Sequence, residues 1–285
     1  MIDALHFEFM RNAVLAGVLA SVVCGIIGTL VVVNRIVFVS GGIAHAAYGG
    51  IGLAVFMGWP FLPTTLAFTV GIGWVMAAVS LRARHRADTV IGVIWALGMA
   101  TGIILLDLTP GYNVNLMSFL FGSILTVPAE DLRAMAVLTL GIAALVGLLY
   151  QPLLAMSYDE EFARIRGVPV TPLYFVLIGT LAVAVVMVIQ VVGLILVIAL
   201  LTIPPFIVER HCRSLATMMA ASVALGVAFT LVGLWAAYAL NLTSGATIIL
   251  VAGLGFVVAR LVEALLGLRS RRATAPAAAP DRGDA

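Results

Sequence analysis

One titratable side chain, His45, lies inside a run of small and apolar residues that extends from Gly41 to Gly52. Apolar sequence continues from this run to Gly58, as expected for a membrane span. An ionisable group inside such a span is a candidate transport-site ligand, because placing it in hydrocarbon is costly. The alternative is a structural histidine that donates a hydrogen bond to a neighbouring carbonyl. The pattern therefore makes His45 the candidate ligand of a translocation pathway.

The same run is rich in glycine, which lets helices approach closely in lipid. Membrane helices associate through contact at small residues rather than through hydrophobic burial. These glycines either pack helices in a general way or pack the helices that border a pathway. We expect helix packing beside the pathway at Gly41, Gly42, Gly49, Gly50 and Gly52.

The composition indicates a polytopic membrane protein. The chain is 63% hydrophobic and 10% charged, with a mean hydropathy of +1.20, whereas soluble domains are about 45–50% apolar and about 25% charged. All 15 basic residues are arginine. Without lysine, a P-loop cannot reach nucleotide phosphates and Schiff-base chemistry is excluded. The chain also has neither a His-Glu-x-x-His zinc-protease signature nor a Gly-x-Ser-x-Gly elbow, so we expect no enzyme active site and no cofactor bound by this chain. Because the arginines lie at span ends, where membrane topology explains them, we expect no nucleic-acid partner.

The apolar runs predict an all-α protein with about nine transmembrane helices embedded in membrane lipid. A span needs roughly 20 residues, and one run of about 36 residues is long enough to cross twice. That run should fold back near Gln190 to Gly193, where a polar residue and a glycine interrupt it. The eight runs are Phe9–Val33, Ile43–Gly58, Phe61–Leu81, Asp88–Leu108, Leu132–Tyr150, Thr171–Phe206, Leu215–Leu240 and Thr243–Leu268.

The arginines predict the orientation. With the N-terminus outside and the C-terminus cytoplasmic, nearly all arginines near span ends fall on the cytoplasmic side, as the positive-inside rule requires. The segment Leu116–Val127 is too short to cross and is interpreted as a re-entrant or interfacial half-helix. We expect a transmembrane domain over residues 1–268 and a disordered, Ala- and Pro-rich cytoplasmic tail over 269–285.

The loop 151–170 predicts a short helix of about three turns on the cytoplasmic side. Ser157 and Glu160 have capping-box spacing, and Gly167 is placed to end the helix. Phe162 and Ile165 should share a face. Such a helix either docks on another protein or rests on lipid, but its acidic first turn favours docking, because lipid-surface helices prefer Lys and Arg. The candidate docking residues are Ser157, Tyr158, Asp159, Glu160, Glu161, Phe162, Ala163, Arg164 and Gly167.

Five segments together resemble the permease subunit of bacterial metal-ion ABC importers, which take up zinc, manganese or iron. Each motif is soft alone, but the five occur in the family's order, and the resemblance covers nearly all of Phe9 to Leu268. The segments are Arg35–Gly52, Ala87–Gly92, Gly111–Leu125, Tyr158–Arg164 with Gly167, and Val192–Pro205.

The resemblance implies a homodimer or paired permease in the bacterial inner membrane. Its cytoplasmic loop would be the coupling helix that binds a separate ABC ATPase subunit, and an extracytoplasmic metal-binding protein would deliver the divalent ion. In the family, an Asp and a His in a Gly-Asp-Ala-Ile-Ser-His segment are thought to coordinate the ion. Here the His is kept as His45, but the Asp position is Gly41.

Two alternatives remain open from the sequence. Imidazole suits zinc, iron or nickel, while a carboxylate favours manganese, so the missing Asp also allows a metal chelate or another small organic cargo. A proton-driven secondary transporter would need membrane-buried carboxylates as relays, and the spans hold almost none.

Overall fold

The computed structural model describes residues 6–82, 86–110, 122 and 124–273 of the 285-residue chain. Within these ranges the protein is helical, without strands. The helices are α1 (Glu8–Val33), α2 (Val37–Met57), α3 (Phe61–Arg82), α4 (Ala87–Asp107), α5 (Ala129–Leu148), α6 (Tyr150–Tyr158), α7 (Glu160–Ile165), α8 (Val170–Val192), α9 (Leu194–Val208), α10 (Leu215–Leu240) and α11 (Ser244–Ala273).

In the described part of the chain, nine helical segments are long and apolar enough to cross a membrane. They are α1 to α5 and α8 to α11, with α9 counted together with the short 3-10 turn that follows it. In lipid, a helix satisfies every backbone polar group within one segment, which is why the continuous apolar runs adopt this structure. The predicted all-α architecture is confirmed, and the described residues contain the predicted number of candidate spans.

The long apolar run is divided at Gly193, as predicted. This residue ends α8 and begins α9 with φ 86°, a conformation that favours glycine. Gly122, with φ 69°, lies directly against the backbone of Val192 and Gly193, where a Cβ would collide with main-chain atoms. Backbone that is not helical is tolerated at membrane depth only where protein or water covers it. Close packing on glycine provides that cover here.

Burial separates a central group of helices from a peripheral one. In the most apolar window of α1, α2 and α8, 72% of residues are buried, against 17% in α4, 22% in α5 and 11% in α11. The helix that carries His45 therefore belongs to the core.

Helix α1 packs on α10 through small and hydroxyl side chains. Ser21 and Thr230 share a hydrogen bond of 3.1 Å, and the Thr29 hydroxyl donates to Ser222 over 3.2 Å. A Cβ at Gly25 would lie 2.8 Å from the Cα of Val223. Small residues at such contacts let backbones approach, and hydroxyl pairs add polar contacts between helices.

A tight corner joins α1 to α2. Asn34 ends α1, and Arg35 takes the left-handed conformation with φ 57°. The Asn34 side-chain amide donates to the Leu30 carbonyl over 2.8 Å and to the Ser157 hydroxyl over 2.9 Å. The second bond ties this corner to the end of α6.

Two predicted segments extend into or beyond the residues that the structure leaves undescribed. Most of Leu116–Val127 lies outside the described residues; Ile124–Thr126 forms a single 3-10 turn. Helix α11 continues to Ala273, five residues beyond the predicted domain end at residue 268. The rest of the predicted tail, 274–285, is outside the described residues.

Candidate functional site

His45 lies in the middle of α2, and its imidazole stacks on the indole of Trp95 in α4. The ring centroids are 4.2 Å apart and the planes differ by 19°. The side chain is partly buried, and its Nδ1 atom is enclosed. Among the described residues, Nδ1 has no hydrogen-bond partner. Nδ1 therefore donates no hydrogen bond to a carbonyl of the described residues.

Helices α2 and α4 approach until their backbones touch. A Cβ at Gly52 would collide with the carbonyl of Gly102, and a Cβ at Gly102 would collide with the carbonyl of Tyr48. Nearer to His45, a Cβ at Gly98 would lie 2.9 Å from the Cα of Ala46. At these three positions there is no room for a side chain between the two helices.

Three other predicted packing glycines also lie against neighbours. A Cβ at Gly42 would lie 2.7 Å from Ile91 of α4. At Gly49 and Gly50 it would lie 2.8 Å and 3.1 Å from Phe68 of α3. The structure therefore places Gly42, Gly49, Gly50 and Gly52 at helix contacts.

Gly41 differs from the other four. A Cβ built there would meet no heavy atom within 4 Å among the described residues. Among the described residues, α2 turns Gly41 away from the other helices of this chain. Its role in packing beside the pathway stays a prediction. Gly41 lies one helical turn before His45, so the space beside it adjoins the imidazole.

One chain does not assemble a complete metal site from its described residues. No group of three or more His, Cys, Asp or Glu side chains in those ranges could hold an ion. Among the described residues, the imidazole of His45 contacts the indole of Trp95 and adjoins the open space beside Gly41. Additional ligands would have to come from water, a second copy of the chain or the undescribed residues.

The loop predicted to form one three-turn helix instead forms two helices with a break at Asp159. Asp159, rather than Ser157, caps α7: its carboxylate accepts a hydrogen bond of 2.9 Å from the Phe162 amide. The predicted capping role of Ser157 is wrong, because its hydroxyl bonds Asn34. Gly167 follows α7 with φ 80°, where a left-handed residue was predicted.

Helix α7 presents an apolar and charged surface. Tyr158, just before it, is 64% exposed; Phe162 is 50% and Ile165 85% exposed. Ala163 is fully buried beneath them. Glu160 and Arg164 form an ion pair of 2.7 Å along the helix, while Glu161 is exposed. An exposed aromatic and an aliphatic side chain on a capped helix form a compact docking surface.

Sequence reasoning missed Trp95 and Asn34. Indole rings favour the headgroup regions at span ends, so a tryptophan nine residues from Arg86, in the interior of α4, was a usable signal. Asn34 is the only amide near the α1–α2 corner in the sequence, but its partner lies 123 residues away. No local pattern reports that contact.

Comparison with known proteins adds to this geometry. A family profile described as the ABC 3 transport family matches residues 6–263. An uncharacterized membrane protein of Synechocystis sp. is 49% identical over 258 residues, covering 90% of this chain and 92% of that protein. A manganese transport system membrane protein of Listeria monocytogenes is 28% identical, covering 93% of this chain and 94% of its own.

A solved structure, PsaBC from Streptococcus pneumoniae in complex with Fab, has a similar fold. Its matching chain superposes with a TM-score of 0.82 at 27% identity, covering 90% of this chain and 93% of that one. The nine apolar helices and the match over residues 6–263 agree with one another. The chain belongs to the ABC 3 transport family.

Proposed function

We propose that this chain is the membrane-spanning subunit of an ATP-driven importer for a divalent transition-metal ion. The observation that carries the proposal is α7, a capped helix outside the spans with exposed Phe162 and Ile165. The chain has no lysine and so no P-loop of its own. A separate ABC ATPase subunit docking on α7 would supply the energy. Family membership and the name of the manganese transport relative support the metal cargo.

His45 is the proposed pathway ligand. A pathway ligand must hold an ion weakly enough to release it, and one imidazole without neighbouring carboxylates fits that requirement. In a homodimer, two copies of His45 with water could form a transient site between the chains. Imidazole suits zinc and iron, and manganese is accommodated with more oxygen ligands. An extracytoplasmic metal-binding protein would deliver the ion.

The proposed setting is the bacterial inner membrane, with the N-terminus outside and the C-terminus cytoplasmic. In that orientation α7 and the end of α3 lie on one face, together with the corner at Arg35. The arginine distribution supports this arrangement. No catalytic residue is proposed for this chain, since ATP is hydrolysed on the partner.

A metal chelate is the second candidate cargo, and the open space beside Gly41 favours it. A Cβ there has no neighbour within 4 Å among the described residues. That space could hold the organic part of a chelate. A free ion would instead bring bound water into it.

Reconstitution tests the proposal. The full chain is coexpressed with its partner ATPase, and the complex is placed in vesicles with the capture protein and radiolabelled Mn(II) or Zn(II). ATP-dependent accumulation of free ion is expected; accumulation only of a chelate would favour the second candidate. Accumulation against a gradient by this chain alone would overturn the coupling to an ATPase.

Docking of the ATPase on α7 is tested separately, with one variant in α7 and one control variant elsewhere. Phe162→Ala should lower ATPase copurification several-fold, because it removes the exposed aromatic of α7. Phe56→Ala is the matched control, since Phe56 is 43% exposed at the far end of α2. Copurification of both variants at the wild-type yield would refute the assignment of α7.

A further inference from the structure

The ring of His45 is held by stacking rather than by a hydrogen bond. The indole of Trp95 covers one face of the imidazole at 4.2 Å, nearly parallel. Histidines that bind metals ordinarily donate their second ring N–H to a carboxylate, carbonyl or water, which fixes the ring plane. No described residue accepts such a bond from Nδ1 of His45. Something else must therefore fix the plane.

Stacking fixes the plane without using the nitrogens. The lone pair that binds a metal lies in the plane of the ring, at its edge. A partner on the face leaves that edge available. The stack also crosses from α2 to α4, whose backbones touch at Ala46 and Gly98 beside it. A close backbone contact therefore lies directly beside the two rings and limits how far they can separate.

Trp95 has a second aromatic neighbour in α2, Phe38. The ring of Phe38 lies 6.0 Å from it at an angle of 57°. Phe38 also lies over Gly92, where a Cβ would be 3.9 Å from the end of the ring. Phe38, Gly41 and His45 are spaced three and four residues apart, so they share one face of α2. Gly41 therefore lies between the two residues of α2 whose rings contact Trp95.

We propose that Trp95 is a positioning residue for metal transport, which holds the imidazole of His45 with its edge open to the ion. This inference rests on the proposed function. The stack should stabilise the metal-bound imidazole more than the metal-free one. A metal-bound imidazole carries positive charge, and the face of an indole attracts positive charge. The stack therefore favours the loaded form of His45 over the empty form. Losing the indole should weaken ion capture more than it slows the turnover of a saturated transporter.

The test uses three variants in the full complex. Trp95→Leu removes the aromatic face, and Trp95→Phe keeps it. Trp235→Leu is the matched control, because Trp235 is 52% exposed on α10. The expected result is a KM for Mn(II) or Zn(II) uptake raised about 2- to 12-fold by Trp95→Leu, the range for loss of an aromatic pair. Trp95→Phe should recover most of that loss, and Trp235→Leu should leave KM unchanged.

A spectroscopic measurement tests the stack without transport. In protein with 13C-labelled histidine, the ring protons of His45 should be shifted upfield by the indole. The signal is assigned by its loss in His45→Gln. It should move toward the usual position in Trp95→Leu and stay in Trp235→Leu. A His45 signal without an upfield shift in the wild-type protein would overturn the geometry.

The outcomes separate this inference from the proposed function. If the wild-type complex moves no metal, the proposed function fails, whatever the NMR spectrum shows. If the wild-type complex moves metal and Trp95→Leu has the wild-type KM, the positioning role of Trp95 fails alone. A changed maximal rate with an unchanged KM would also overturn it, because the predicted effect is on capture.

Discussion

The contact between α2 and α4 makes a quantitative prediction for Gly102→Ala. The new Cβ would collide with the carbonyl group of Tyr48 and lie 2.8 Å from the amide nitrogen of Gly49. Ordinary contact begins at 3.4 Å. Because the obstructing atoms are backbone, no side chain can turn aside, and the helices must separate by on the order of 1 Å. Overpacking of this kind costs about 1–3 kcal/mol.

A glycine-to-alanine substitution at an uncrowded helical position serves as the control, because it changes helix propensity in the same way as Gly102→Ala. Gly71 lies in α3, and a Cβ there meets nothing within 4 Å among the described residues. Replacing a glycine in a helix by alanine gains about 1 kcal/mol from propensity, and this gain is common to both variants. The unfolding free energy of Gly102→Ala should therefore be about 1–3 kcal/mol below that of Gly71→Ala.

The assay is equilibrium unfolding of the purified chain in mixed micelles, with SDS as denaturant and circular dichroism as the probe. Ion uptake by the complex should fall as well in Gly102→Ala, since the contact supports the stack of His45 on Trp95. Equal unfolding free energies for the two alanine variants would refute the backbone contact between α2 and α4.

Three further predictions test other parts of the structure. Gly41→Asp should be tolerated, because its Cβ meets open space among the described residues. It should also lower the KM for Mn(II) uptake relative to the KM for Zn(II) uptake, because it adds a carboxylate one turn from the imidazole. Gly42→Asp is the control and should lower the folded yield, since its Cβ would lie 2.7 Å from an isoleucine of α4; the opposite ranking would contradict the geometry of this turn. Asp159→Ala removes the cap of α7, worth about 1 kcal/mol, and should lower the yield of copurified ATPase. Ser157→Ala should leave that yield unchanged, because Ser157 does not cap α7. Equal losses in the two variants would show that the cap is assigned wrongly. Thr230→Val should reduce the SDS unfolding free energy by about 0.6 kcal/mol through loss of the hydrogen bond to its partner on α1, and an unchanged value would mean that this bond contributes nothing.

The spans and the fold-back could be predicted because their signals are local. A helix in lipid must be long and apolar, and both properties are read directly from consecutive residues. The division at Gly193 follows in the same way, since the run is too long for one crossing and glycine accepts the conformation of the turn.

The site could be predicted only in part, because its remaining features depend on contacts between distant segments. Ser157 and Asp159 are both suitable caps by type, and the contact of Ser157 with Asn34, 123 residues away, leaves the capping position to Asp159. Gly41 resembles its neighbours in sequence, yet the rotation of α2 directs it into open space. The partner of His45 depends on the register of α2 against α4.

Close backbone packing also limits how the site can move. Side chains at a helix contact can change rotamer and let helices slide, but glycine contacts offer no such adjustment. Because α2 and α4 touch through Gly52, Gly102 and Gly98, separating them would expose backbone to lipid without replacing the lost contacts. We therefore expect α2 and α4 to move as one unit, with the stack of His45 on Trp95 preserved. Access to His45 would then open and close at the surface where α2 and α4 together meet the peripheral helices or a second copy of the chain.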